Sequence, residues 1–108
     1  MKSSLLSKLE TLTDRHQEVS ALLSDSETIA HQNKFRELSR EYSELEPVVI
    51  CYAQYAQIQA DLEEARLMLN DTDPDVRDMA RDELETGGVD LKVIESQIQM
   101  LLLPRDPN

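Results

Sequence analysis

The 108 residues carry 22 Asp and Glu against 11 Lys and Arg, a net charge of −11, so the chain repels phosphate backbones and is not by itself a nucleic-acid-binding module. Hydrophobic residues make up 40% and charged residues 31%, with two Gly and no Trp, a balance that suits solvated helices over sheets and bounds the chain to one domain or a piece of a larger protein. One cysteine, Cys51, permits no internal disulfide, no signal peptide precedes the first amphipathic segment, and no apolar run is long enough to span a membrane; the reading is of a soluble, cytoplasmic protein.

The first helix is predicted to start at Ser3 or Ser4, either of which can cap it. Its apolar positions, Leu5, Leu9, Leu12, His16, Val19 and Leu23, follow steps of four and three, a heptad seam. His16 stands where an apolar residue is expected, and neither Cys nor a second His lies at ligand spacing from it. It is expected at the bundle edge with its polar tip reaching solvent.

Residues 24–28 then read as a connector, in which Ser24 and Glu27 have the spacing of a capping box for a short helical turn. Ile29 is expected to pin this connector to the core, and His31 follows within it.

A long helix is predicted over 33–69. Phe35, Leu38, Tyr42, Leu45, Val49, Tyr52, Tyr55, Ile58, Leu62, Ala65 and Leu69 recur by threes and fours, as one helix face requires. At 1.5 Å per residue it spans about 55 Å, which predicts an elongated molecule. Pro47 removes the hydrogen bond to the carbonyl of Ser43, yet the stripe passes through it in phase, so a kink or one broken turn is expected at 44–47 with the axis continuing. Beyond Tyr52 the stripe slides around the helix, which suits packing on one neighbour first and a different surface later. Lys34, Arg36 and Arg40 alternate with Glu37, Glu41 and Glu44 as a solvated face with (i, i+4) pairs. The four aromatics Phe35, Tyr42, Tyr52 and Tyr55 read as core or edge packing, and Cys51 as a small apolar packer.

Residues 70–74 form a predicted turn, with Asp73 as cap and Pro74 as first helical residue. The acidic cluster around Asp71, Asp73 and Asp75 does not fit a calcium loop, since position six from Asn70 is Asp75 where an EF-hand needs Gly. The last helix carries Ala80, Leu84, Gly87, Leu91, Ile94, Ile98 and Leu101, and one frayed or bent helix over 74–103 is expected over the alternative of two helices broken at Gly87-Gly88, which weaken it by about 1 kcal/mol per Gly. Pro104 and Pro107 end it, and 104–108 reads as the start of an extended linker, which predicts that the native protein continues past Asn108. No nucleophile beside a base, phosphate loop or metal-ligand spacing occurs. The fold class is therefore all-α, an elongated antiparallel three-helix bundle or helical hairpin with a long central helix, forming one helical domain over 1–103 that needs no cofactor and no catalytic residue.

Phe35-Arg36-Glu37-Leu38-Ser39-Arg40-Glu41-Tyr42, Glu44-Leu45-Glu46-Pro47-Val48-Val49 and, above all, Leu101-Leu102-Leu103-Pro104-Arg105-Asp106-Pro107-Asn108 resemble the N-terminal domain of bacterial peptide chain release factor 1. Ser7-Lys8-Leu9-Glu10, Glu18-Val19 and Asp61-Leu62-Glu63-Glu64-Ala65 are similar to it as well, and the terminal run favours type 1 over type 2 factors. The resemblance implies translation termination at UAA and UAG. The family's codon-reading Pro-x-Thr and its Gly-Gly-Gln tripeptide lie outside these residues; Gly87-Gly88 is followed by Val89. What the resemblance leaves to this domain is contact with the large-subunit stalk base of the ribosome, with the GTPase release factor and with the glutamine methyltransferase that modifies release factors. Gly87-Gly88 departs from the charged helix formers usual there, which puts the straightness of the last helix in question.

The partner surface is expected at the two helix-helix turns, around 24–33 and 70–77, with Glu27, His31, Asp71, Asp73, Asp75, Arg77 and Arg81 as contact residues. The rival reading, a free-standing helical chaperone or coiled-coil adaptor, predicts self-association through the apolar seams.

Overall fold

The structure, a computed structural model, describes residues 1–104; of the expected linker, Arg105, Asp106, Pro107 and Asn108 lie outside the described residues. Four helices occur among the described residues, α1 Ser3–Leu23, α2 Ser26–Ala30, α3 Gln32–Met68 and α4 Pro74–Leu101, and no strand. The fold is all-α with a long central helix. It divides into two compact units, Met1–Ile50 and Cys51–Asn108, with α3 running from one into the other.

In the first unit the heptad seam of α1 faces inward: Leu9 and Val19 are fully buried, and Leu5, Leu12, His16 and Leu23 half-buried. The cap expected at Ser3 or Ser4 is instead Lys2, whose side chain makes no capping bond. Both serines lie within the first turn, where their own backbone is already helical. Arg15 grips Glu41 of α3 in a two-pronged contact, Nε to Oε2 at 2.5 Å and Nη2 to Oε1 at 2.7 Å. Glu41 is thus engaged across the helix pair, and no ion pair among the described residues joins Lys34, Arg36 or Arg40 to the glutamates beside them.

His16 also departs from expectation. Its ring stacks on Tyr42 with centroids 4.6 Å apart, and Nε2 is buried with no hydrogen-bond partner among the described residues. Stacking draws the imidazole flat against α3 and takes its tip away from solvent, at a cost of about 1–3 kcal/mol for an unmet polar atom.

The short helix α2 forms where the capping signals cluster, but Asp25 does the capping, accepting from the Glu27 N–H at 3.2 Å. Ser24 is spent one step earlier as the C-cap of α1, its hydroxyl donating to the Ser20 carbonyl. The residue that pins the connector is Thr28, 3% exposed, whereas Ile29 is 54% exposed. At 100° per residue, turning Thr28 inward rotates its neighbour out.

α3 is unbroken through Pro47, so no turn is lost at 44–47. The lost bond to Ser43 is one rung in a 37-residue helix whose other rungs and buried face hold it. The buried positions include Val48, which the sequence pattern passed over, beside half-buried Val49, and then Tyr55, Leu62 and Ala65. The first half of α3 meets α1 through Glu41 and Tyr42. In the second unit its later half packs antiparallel to α4, so the two halves do serve different neighbours.

α4 is a single helix ending at Leu101, with Leu102 as its C-cap. It runs unbroken through Gly87-Gly88, and the two glycines differ. A Cβ at Gly87 would stand 2.5 Å from Leu62 Cδ2, while one at Gly88 meets nothing within 4 Å. Gly87 is therefore a point of close approach between the helices, with Leu62 filling the space its missing side chain leaves. Ala80 and Ile98 complete the buried face, while Leu101 is 43% exposed.

Candidate partner-binding site

The expected contact residues fall at two turns, each of which lies within one unit. The second turn is built by its own backbone chemistry. Asp71 accepts the Asp73 N–H at 2.9 Å, and Asp73 accepts the Asp75 N–H at 2.9 Å as N-cap of α4, with Pro74 at the first helical position. Both carboxylates are thus oriented by local bonds, which fixes where their remaining oxygens point. Arg77 folds back over the turn and donates from Nη1 to the carbonyls of Asp71 at 2.9 Å and Thr72 at 3.3 Å. It is half-buried and acts as a strut. Arg81 pairs with Asp78 one turn earlier at 2.7 Å and stays exposed.

With one cation holding the turn and the other paired, the surface offered by 71–81 is net acidic, its free carboxyl at Asp75 standing exposed. Exposed apolar groups flank it. Leu67 is 70% and Met79 71% exposed, and neither was among the contact residues expected from the sequence. The signal was available for Met79, an apolar residue directly beside the seam position Ala80.

At the first turn, Glu27 and His31 are both exposed. His31 closes α2 through its backbone N–H to the Thr28 carbonyl and receives the Phe35 N–H on its own carbonyl at 2.9 Å. Its imidazole is left outside. Ile29 and Phe35, 54% and 39% exposed, give this turn an apolar patch, so Phe35 contributes more surface than core packing.

Three titrations are displaced, all away from the turns: that of Arg15, raised first by its hydrogen bond to Glu41, and those of Glu41 and Tyr55. The Arg15 guanidinium holds the Glu41 carboxyl below the ordinary glutamate range, first through the hydrogen bond and then through its charge, with desolvation opposing. Burial pushes the Tyr55 phenol up, helped by the negative charge of Glu95 and by Tyr52, while the hydrogen bond from Gln59 at 2.7 Å works the other way. None sits in a cleft beside a nucleophile. Among the described residues no group of three or more His, Cys, Asp or Glu is placed to hold a metal ion, and no helix is long and apolar enough to cross a membrane. What the turns can do chemically is recognise a surface by charge and apolar contact.

Compared with families of known proteins, residues 12–108 match the PCRF domain.

Proposed function

Because the chain belongs to the PCRF domain family, the helical N-terminal domain of class-I peptide chain release factors, we propose that it is the non-catalytic, partner-binding module of a type 1 factor. It acts in translation termination at UAA and UAG in the cytoplasm, by contact with the large-subunit stalk base of the ribosome. The GTPase release factor and the release-factor glutamine methyltransferase are its further partners. The observation that carries this reading is the family match over 12–108. The run from Leu101 through Pro104 to Asn108 supports type 1.

The second turn is the contact surface we favour, because its backbone is pinned by Asp71, Asp73 and Arg77 and a preformed surface loses little entropy on binding. Charge reversal at Arg77 would disturb the turn itself. Asp75 and Arg81 are exposed, so Asp75→Arg with Arg81→Glu leaves the bonds that pin the turn in place and breaks only the surface pair of Arg81 with Asp78. Co-sedimentation with large ribosomal subunits tests the reading. The chain is expected to pellet with them at micromolar concentration and to lose at least about tenfold in affinity with both substitutions. Failure to pellet, or pelleting indifferent to the double variant, would overturn the assignment of this turn.

A further inference from the structure

One face of the α3–α4 pair in the second unit carries a groove unrelated to the turn chemistry. Three cavities of about 360, 110 and 250 Å³ lie along it. Ile58 and Asp90 line both the first and the second, and Asp61 and Glu83 line both the second and the third. They are therefore stretches of one channel that follows α3 from Gln54 to Met68, about 21 Å at helical rise. The residues come from a single stripe of each helix, spaced by threes and fours.

The floor is apolar, made by Ile58, Leu62, Ala65, Met68, Met79 and Ile94. Val93, at one end, is 50% exposed and Met79, at the other, 71%. The rim is acidic throughout: Asp61, Glu64, Glu83 and Asp90 line it, and no Lys or Arg does. Among the described residues the ion pairs of this unit lie elsewhere, Arg66 with Glu63 and Arg81 with Asp78, and none joins a cation to a rim carboxylate.

We propose that this groove seats a basic amphipathic helix of a partner protein. Four turns of helix match the channel's length, with aliphatic side chains at i, i+3 or i+4, i+7 and i+11 entering the floor and Lys or Arg on either flank meeting the rim. Charge decides against the other occupants. A nucleic acid is repelled by the rim, and a second copy of the chain brings a net charge of −11 of its own. The inference stands on the groove and its charges, and does not rest on the release-factor reading.

The probe is a fluorescein-labelled 15-residue helical peptide with Leu at those four spacings and Lys on both flanks, titrated with the chain by fluorescence anisotropy. A second peptide has every Lys replaced by Glu. The chain is expected to bind the basic peptide and not the acidic one, and Glu83→Lys with Asp90→Lys to weaken binding by at least about tenfold. Glu85→Lys with Glu10→Lys makes the same change in net charge away from the groove and is expected to cost less than about threefold. Circular dichroism checks that both pairs remain folded, and amide shifts on peptide addition are expected to cluster at 54–68 and 79–94. Absence of binding, equal losses from the two pairs, or shifts mapping elsewhere would overturn the proposal. Dimerisation in sedimentation that Val93→Glu abolishes would assign the groove to a second copy and overturn it equally.

Discussion

The two adjacent glycines of α4 make opposite predictions for the same substitution. Gly→Ala inside a helix gains about 1 kcal/mol, from the propensity difference and the narrower unfolded ensemble. At Gly88 nothing lies within 4 Å of the added Cβ, so Gly88→Ala should keep the whole gain and raise Tm by roughly 4 °C or more. At Gly87 the Cβ meets Leu62 Cδ2 at 2.5 Å and Cγ at 3.3 Å. Leu62 is 5% exposed, so its isobutyl group relieves the clash only by giving up its packing and moving into the groove it helps to floor. Overpacking costs about 1–3 kcal/mol, which leaves Gly87→Ala between neutral and about 2 kcal/mol less stable. The two variants should differ by about 1–3 kcal/mol in urea denaturation followed by circular dichroism at 222 nm. Shortening Leu62 to Ala should cost less in the Gly87→Ala background than alone, a coupling of at least about 0.5 kcal/mol. If Gly87→Ala stabilises as much as Gly88→Ala, the close approach of α3 and α4 at this point is refuted.

Asp73→Ala removes the N-cap of α4 and should cost about 1 kcal/mol in the same assay, with Asp73→Asn largely preserving stability. Glu41 titrates below the ordinary glutamate value because Arg15 holds its charged form, so its contribution is present above about pH 4.3 and is lost as pH falls through the depressed folded pKa. Glu41→Gln should accordingly be less stable than the parent at pH 7, with the difference closing below about pH 4, and an NMR titration should place Glu41 below the ordinary glutamate value. Tyr55, raised chiefly by burial, makes the opposite case: the unfolded chain gives up its proton first, so stability is lost as pH rises past about 10. Ultraviolet titration should show a late tyrosine phase, and Tyr55→Phe should remove it.

Helix existence was legible wherever a seam ran long. Spacing alone placed α3 within one residue at each end and kept it going past Pro47, but the broken turn expected at 44–47 does not occur, because a helix face in phase on both sides of a proline outweighs one lost bond. It also named Asp73 and Pro74 correctly, since an Asp-Pro pair after an apolar run admits little else. The misses are local competitions between neighbours. Ser24 and Asp25 can each cap, and the choice depends on where α1 releases the chain. Thr28 took the inward position from Ile29 because five residues of α2 cannot bury both, and its capped first turn fixes the rotation. His16 was assigned a wet tip because nothing in its own helix reveals Tyr42 across the gap. Gly87 read as a weakness until Leu62 stood opposite. At the candidate site the sequence offers Asp71, Asp73, Asp75, Arg77 and Arg81 as surface charges without showing their division of labour. That Arg77 is a strut while Arg81 is exposed follows from the carbonyls of Asp71 and Thr72, whose direction no sequence pattern carries.

The central claim, that this domain serves termination by contacting the ribosome through the second turn, is tested most directly by crosslinking. Cys51→Ser removes the native thiol, and Asp75→Cys places one at the exposed start of α4. With a photoreactive maleimide on that thiol, illumination in the presence of ribosomes is expected to yield covalent adducts to stalk-base proteins. The same label at Gln17→Cys on α1, also exposed, is expected to yield several-fold less. Equal yields from the two positions, or adducts confined to proteins remote from the stalk base, would contradict the account.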